Sequence, residues 1–136
     1  MNTQDLLSNH QLRKTPMRTA VLDLLISENK ALAIKDFDQQ LTDYDRVTLY
    51  RTLKTFEDQG IIHSIVDGNR QTSYALCSHH CTEHHHHDEH IHFHCTKCEK
   101  TICLDDTAAP VITTPAGFQV NQVQLLVEGV CDTCNR

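Results

Sequence analysis

Two Cys-x-x-Cys pairs, Cys95/Cys98 and Cys131/Cys134, bracket the C-terminal third of the chain, and a histidine-dense tract runs up to the first of them. Thiolates at that spacing turn two sulfurs toward one point, and a second pair completes the tetrahedral shell that zinc asks for. The competing reading is two disulfides or idle thiols. Seven cysteines is an odd number, and the first residues lack the basic start and apolar run of a secretory signal. The expectation is therefore a cytoplasmic protein, in a reducing compartment where thiolates hold metal rather than bridges. No run approaches the roughly 20 apolar residues of a membrane-spanning helix, so no membrane partner is expected. The four cysteines are expected to hold a structural Zn2+ that supplies folding energy to a small unit.

Elements must bring these ligands together. Thr15-Pro16 offers an N-cap hydroxyl and a proline at the first helical position, and Met17, Val21, Leu24 and Leu25 continue as an apolar stripe. Ile34, Phe37 and Leu41 fall at helical spacing in a second helix, which Thr42-Asp43-Tyr44 interrupts before Asp45 can cap a third. In that third helix Leu49, Leu53 and Phe56 point one way, Thr48, Arg51 and Thr55 lie opposite, and Gly60 ends the run. Ile61 to Val66 and Gln71 to Leu76 read as two strands joined through Asp67-Gly68-Asn69, a step that favours a tight hairpin.

Three helices and a hairpin predict a winged helix over residues 1–76, whose last helix enters a DNA major groove or, in the competing case, docks on protein. After Cys77 the composition shifts to His, Cys and acid, giving a His-rich hinge at 77–89. A second domain follows at 90–136, with strand-like segments at 90–95, 101–104 and 118–130. Pro110 and Pro115 leave little room there for a long helix.

The formal net charge of -6 argues against a simple nucleic-acid binder, but the charge is unevenly placed. Residues 1–76 carry nine Lys/Arg against ten Asp/Glu, whereas 77–136 carry three against eight. The acidity belongs to the metal half, where bound cations would offset it. In the first half, Arg13, Lys14, Arg18, Arg51 and Lys54 form a candidate basic patch.

Taken together, the Arg13–Arg18 segment, the Asp45 to Ile62 helix ending in Gly60, the hairpin, a His-x-His before Cys-x-x-Cys and the terminal Cys-x-x-Cys resemble the ferric uptake regulator family. Val47-Thr48-Leu49-Tyr50-Arg51-Thr52-Leu53 looks like that family's recognition helix. The resemblance implies an α+β protein in which a winged-helix DNA-binding domain precedes a small α/β, zinc-stabilised dimerisation domain. It also implies a homodimer on palindromic double-stranded operator DNA, with Tyr50 and Arg51 reaching base edges. Thr48, Arg13, Lys14 and Arg18 complete the DNA-contacting set; Arg13 or Lys14 reaches the minor groove or phosphates, or is a solvated charge.

The resemblance also implies a regulatory metal. His90 and His92 match the family's His-x-His and alternate onto one strand face. Cys77 falls where zinc-sensing members place a thiolate, and His63 where a zinc-sensing relative has a carboxylate. His63, Cys77, His90 and His92 compose a nitrogen/sulfur set that suits a regulatory Zn2+, whereas Fe2+ and Mn2+, the alternatives, prefer more oxygen. Cys103 stands where iron-type and peroxide-type members carry an acidic ligand, Ala31 replaces a histidine ligand, and Ile91, Pro110 and Val123 occupy a further site. Cys103 is either a fourth ligand in place of His63 or a small buried residue. The remaining tract, including Cys81 and His94, gathers additional metal or is a solvated loop that binds it only weakly.

No His-Glu-x-x-His motif supplies a general base beside a metal. The expectation is a metal-dependent repressor of uptake genes rather than an enzyme, with no small-molecule substrate. A zinc storage or delivery protein is the weaker competitor, and the recognition helix argues against it.

Overall fold

The computed structural model describes residues 2–66, 69–76, 91–104, 110–120 and 123–136. The chain divides into two compact units, Met1–Asp88 and Glu89–Arg136.

In the first unit the helices are α1 (Thr3–Asn9), α2 (Pro16–Glu28), α3 (Ile34–Gln40) and α4 (Arg46–Asp58), and the strands β1 (Leu32–Ala33), β2 (Ile62–Val66) and β3 (Thr72–Leu76). Local chemistry sets the helix ends. The Thr15 side chain accepts the Arg18 N–H at 3.3 Å with Pro16 opening α2, and Asn29 closes it in the left-handed region at φ 50°. At α4, Asp45 accepts the Val47 N–H at 3.3 Å and the Thr48 hydroxyl at 2.8 Å. Its far end is a Schellman turn: Gly60 donates to Glu57 and Ile61 to Phe56, with Gly60 at φ 77°. An L side chain resists that conformation, which is why glycine punctuates the helix.

One core holds these elements: Leu7 of α1, Val21, Leu22 and Leu25 of α2, Leu32 of β1, Phe37 of α3, Leu49, Leu53 and Phe56 of α4, and Ile61 and Ile62 at β2. Side chains of that size each contribute about 1.5 to 3 kcal/mol on leaving water, so the α4 stripe alone anchors the helix firmly. The sheet runs β1-β3-β2, all antiparallel, and β2 and β3 pair from Ile62↔Leu76 to Val66↔Thr72. The predicted winged helix is thus present, with each strand starting one residue later than expected and ending where expected. Asp67 and Gly68, the predicted turn, lie outside the described residues. Two elements go beyond the sequence reading: α1, tied to α2 by a hydrogen bond from the Thr3 hydroxyl to Asp23, and the short β1.

In the second unit β4 (Ile91–Cys95) is central, with β5 (Thr101–Leu104) antiparallel on one side and β6 (Leu125–Gly129) parallel on the other. The strand expected over 118–130 is shorter than predicted. Among the described residues, pairing runs from Ile91↔Leu125 to Cys95↔Gly129. Residues 110–120 form no strand and are exposed, and Phe118 donates back to the Pro115 carbonyl around Gly117 at φ 87°. The described residues of this unit form strands, turns and irregular segments, and no helix is found among them. Among the described residues, no helix is long and apolar enough to cross a membrane.

Candidate metal centre and nucleic-acid surface

The sheet of the second unit assembles the cysteines. Cys95 is the last residue of β4, and its amide donates to the Lys100 carbonyl while Glu99, at φ 64°, donates to the Cys95 carbonyl, closing the first knuckle. Because β6 runs parallel to β4 and Gly129 lies opposite Cys95, the chain leaves β6 beside the same point and supplies Cys131 two residues later. Thr96 binds the strands there, donating its amide (2.7 Å) and hydroxyl (3.2 Å) to the Gly129 carbonyl. Gly129 is suited to the place, since a Cβ would lie 3.2 Å from the Phe93 ring. The second knuckle is held by Asn135 donating to the Cys131 carbonyl.

The ligating atoms of Cys95, Cys98, Cys131 and Cys134 all lie within 4.8 Å of one another, and Cys98 Sγ is 3.9 Å from Cys131 Sγ. A tetrahedron with zinc–sulfur bonds of about 2.3 Å has edges of about 3.8 Å, so the sulfurs stand at coordination spacing. All four are free thiols, and two backbone amides point at Cys95 Sγ, from Cys98 at 3.5 Å and Cys131 at 3.3 Å. Those donors bring the Cys95 thiol down to about 5. The Cys134 amide likewise holds Cys131 below the usual thiol range. Cys134 moves the other way, to about 12, because its hydrogen bond to Cys131 and its burial keep its proton on. Two ready thiolates and a third sulfur that keeps its proton without a cation make a donor set fitted to a divalent ion.

A second group lies on β4 and β5. His92 stands opposite Cys103, and His94 opposite Thr101. The ligating atoms of His92 and Cys103 are within 4.8 Å. The His94 ring is instead engaged through Nδ1 by the Thr101 hydroxyl at 3.0 Å, and among the described residues it joins no metal-spaced group. In the first unit His63 is a buried residue of β2 opposite Ala75. Cys77, Cys81 and His90 lie outside the described residues.

On α4 the buried side is Leu49, Thr52, Leu53 and Phe56. Thr48 and Arg51 are exposed as expected, whereas Thr55 is half-buried; Thr48 spends its hydroxyl on the Asp45 cap, and Val47, Tyr50, Arg51 and Lys54 form the outermost stripe. Thr48 and Arg51 line a cleft of about 780 Å³ with Arg13, Thr15 and Arg18, so three of the predicted arginines share one concave surface. Arg18 is oriented there by donating to the Arg13 carbonyl at 2.8 Å. Lys14 lines a neighbouring hollow with Thr15 and Thr19. Arg46 is held to Asp38 at 2.8 Å and Lys54 to Asp58 at 3.1 Å. Cationic side chains around an exposed helix are the groups a phosphate backbone selects.

Comparison with known proteins agrees with this geometry. Residues 9–128 match the Ferric uptake regulator family. The "Ferric uptake regulation protein" of Staphylococcus epidermidis is 34% identical over 145 residues, covering 100% of this chain and 98% of the relative. A protein so described from Staphylococcus aureus is 34% identical over 143 residues, covering 98% of each. Among solved structures, the Vibrio cholerae ferric uptake regulator has a TM-score of 0.63 at 19% identity, covering 96% of this chain and 100% of that one. A zinc-bound manganese uptake regulator has a TM-score of 0.65 at 18% identity, covering 96% and 99%. At such identities these two bear on the fold alone. The family match spans both units and does not depend on them: the chain belongs to the ferric uptake regulator family of metal-dependent transcriptional regulators.

Proposed function

We propose that the chain is a zinc-responsive repressor that binds palindromic operator DNA as a homodimer and controls metal-uptake genes. Cys95, Cys98, Cys131 and Cys134 hold a structural Zn2+. The regulatory Zn2+ takes its ligands from His63, Cys77, His90 and His92, with Cys103 the alternative to His63. The observation that bears on the metal assignment is that His92, a member of that set, stands across the strand pair from Cys103, the alternative member, with ligating atoms within 4.8 Å. A thiolate beside an imidazole favours zinc, whereas ferrous and manganous ions favour carboxylate oxygen.

In this reading α4 presents Tyr50 and Arg51 to base edges while Arg13, Lys14 and Arg18 engage phosphates or the minor groove. By linkage, whatever factor metal adds to DNA affinity, DNA adds to metal affinity. The relatives' name, ferric uptake regulation protein, favours the second reading, an iron- or manganese-responsive regulator. Operator titrations at buffered free zinc, iron and manganese, each repeated with a chelator, separate the two. Zinc giving the largest gain supports the first; ferrous or manganous ion surpassing zinc replaces it with the second.

A further inference from the structure

The outer stripe of α4 contains one apolar residue. Val47, Tyr50, Arg51 and Lys54 follow at i, i+3, i+4 and i+7, and at 100° per residue they fit within roughly 100° of arc, with Val47 near its middle. Val47 is 54% exposed and Tyr50 47%, although isoleucines and leucines nearby are fully buried. The position is also fixed. The Val47 amide is held by the Asp45 carboxylate at 3.3 Å, so its Cβ direction is set in the first helical turn.

Neighbours on that turn are already committed. The Arg46 guanidinium pairs with Asp38 at 2.8 Å, and the Thr48 hydroxyl donates to Asp45 at 2.8 Å. Val47 is thus the side chain of the first turn that faces outward with no hydrogen-bonding duty. A short branched apolar group there, flanked by Arg51 and Lys54, is suited to the one apolar feature of a major-groove edge, the C5-methyl of thymine.

The geometry points to Val47 as a specificity-determining residue that reads a thymine methyl in the operator half-site. The inference rests on the DNA-binding reading of α4 and adds to it a base preference. Tyr50 and Arg51 carry hydrogen-bonding groups and select among base edges by donors and acceptors. Val47 selects by burying a methyl, which separates thymine from cytosine and from an unmethylated pyrimidine at one position.

The test uses the zinc-loaded protein with both units and a duplex selected by it from random sequence. Each thymine in the half-sites is replaced in turn by deoxyuridine, which removes only the methyl, and Kd is measured for wild type, Val47→Ala and Val47→Thr. Burying one methylene-sized group corresponds to about fourfold in affinity, so at one thymine position the wild type should lose about three- to tenfold. On the thymine duplex Val47→Ala should lose a similar factor and Val47→Thr, which keeps one of the two methyls, a smaller one, and on the deoxyuridine duplex at that position neither should lose anything further. Unchanged thermal midpoints of the variants verify that folding is intact. Losses that add at every position, or variants that bind the thymine duplex as wild type does, overturn the inference while leaving α4 a DNA-binding helix. Failure of the wild type to bind any duplex overturns the DNA-binding reading and this inference together.

Discussion

Cys98 Sγ and Cys131 Sγ lie 3.9 Å apart although 33 residues separate them in the chain. The parallel pairing of β4 with β6 is what closes that distance, since Cys95 and Gly129 are register partners. The sheet and the thiol cluster are therefore one structure, and the loss of either should be felt in the other.

Cys95→Ser or Cys131→Ser should remove the zinc and unfold the second unit, because metal binding at such a site is folding free energy. Metal content by mass spectrometry and oligomeric state by light scattering check this. A Cys95→Ser protein that stays a zinc-loaded dimer would contradict the structural role.

Zinc affinity of this cluster should rise with pH. Near pH 7 the Cys95 thiol, lowered to about 5, is already ionised, whereas Cys134, raised to about 12, keeps its proton and must lose it to coordinate. Loading at pH 7 thus expels protons, and acid opposes it. Calorimetry in two buffers of different ionisation enthalpy counts them. A count of zero, or affinity independent of pH between 6 and 8, would show that the four sulfurs do not share the metal.

Arg51→Ala should reduce discrimination among operator sequences by about 1 to 3 kcal/mol, the worth of one good base contact. Lys14→Ala should weaken all duplexes alike and lower the salt slope by about one. Competition binding against random DNA at several salt concentrations distinguishes them. Sequence-blind losses in both would make Arg51 a phosphate contact.

Phe56 is fully buried in the α4 face of the core. Phe56→Ala should cost about 3 to 5 kcal/mol in the first unit, as aromatic truncations in cores do. Urea titration should show it as a lower midpoint. A shift under ~1 kcal/mol would mean that α4 is anchored by something other than this stripe.

Much of the fold was legible because the signals were local. Thr15-Pro16, Asp45 and Gly60 each mark a helix end through a hydrogen bond or a φ value within a few residues. The paired Cys-x-x-Cys knuckles are equally local. The seven-residue α1 was missed because only Leu6 and Leu7 mark it as apolar, and β1 because two residues carry no period. Composition marks 118–130 as strand throughout, yet the described residues 118–120, 123 and 124 are not strand, and pairing with β4 falls on Leu125–Gly129, a register that no local signal reports. On α4 Leu49, Leu53 and Phe56 face the core and Thr48 and Arg51 are exposed, as their spacing implies, and Thr55 alone departs, being half-buried. Thr52 and Thr55 look polar in sequence, yet Thr52 turns its hydroxyl to the Thr48 carbonyl at 2.8 Å and is buried. His92 and Cys103 are 11 residues apart, and only the antiparallel register sets them face to face.

The most direct measurement is operator affinity against buffered free zinc for wild type, His92→Ala, Cys103→Ser and His63→Ala, with ferrous and manganous ions in parallel. Wild type should gain about 5- to 150-fold on zinc, the usual range for coupled sites. His92→Ala should remain a folded dimer with one zinc per chain and gain nothing. Loss of the response in Cys103→Ser but not in His63→Ala would assign Cys103 as the fourth ligand; the reverse would assign His63. An undiminished response in His92→Ala, or a larger gain on iron or manganese than on zinc, would contradict the zinc-sensor assignment.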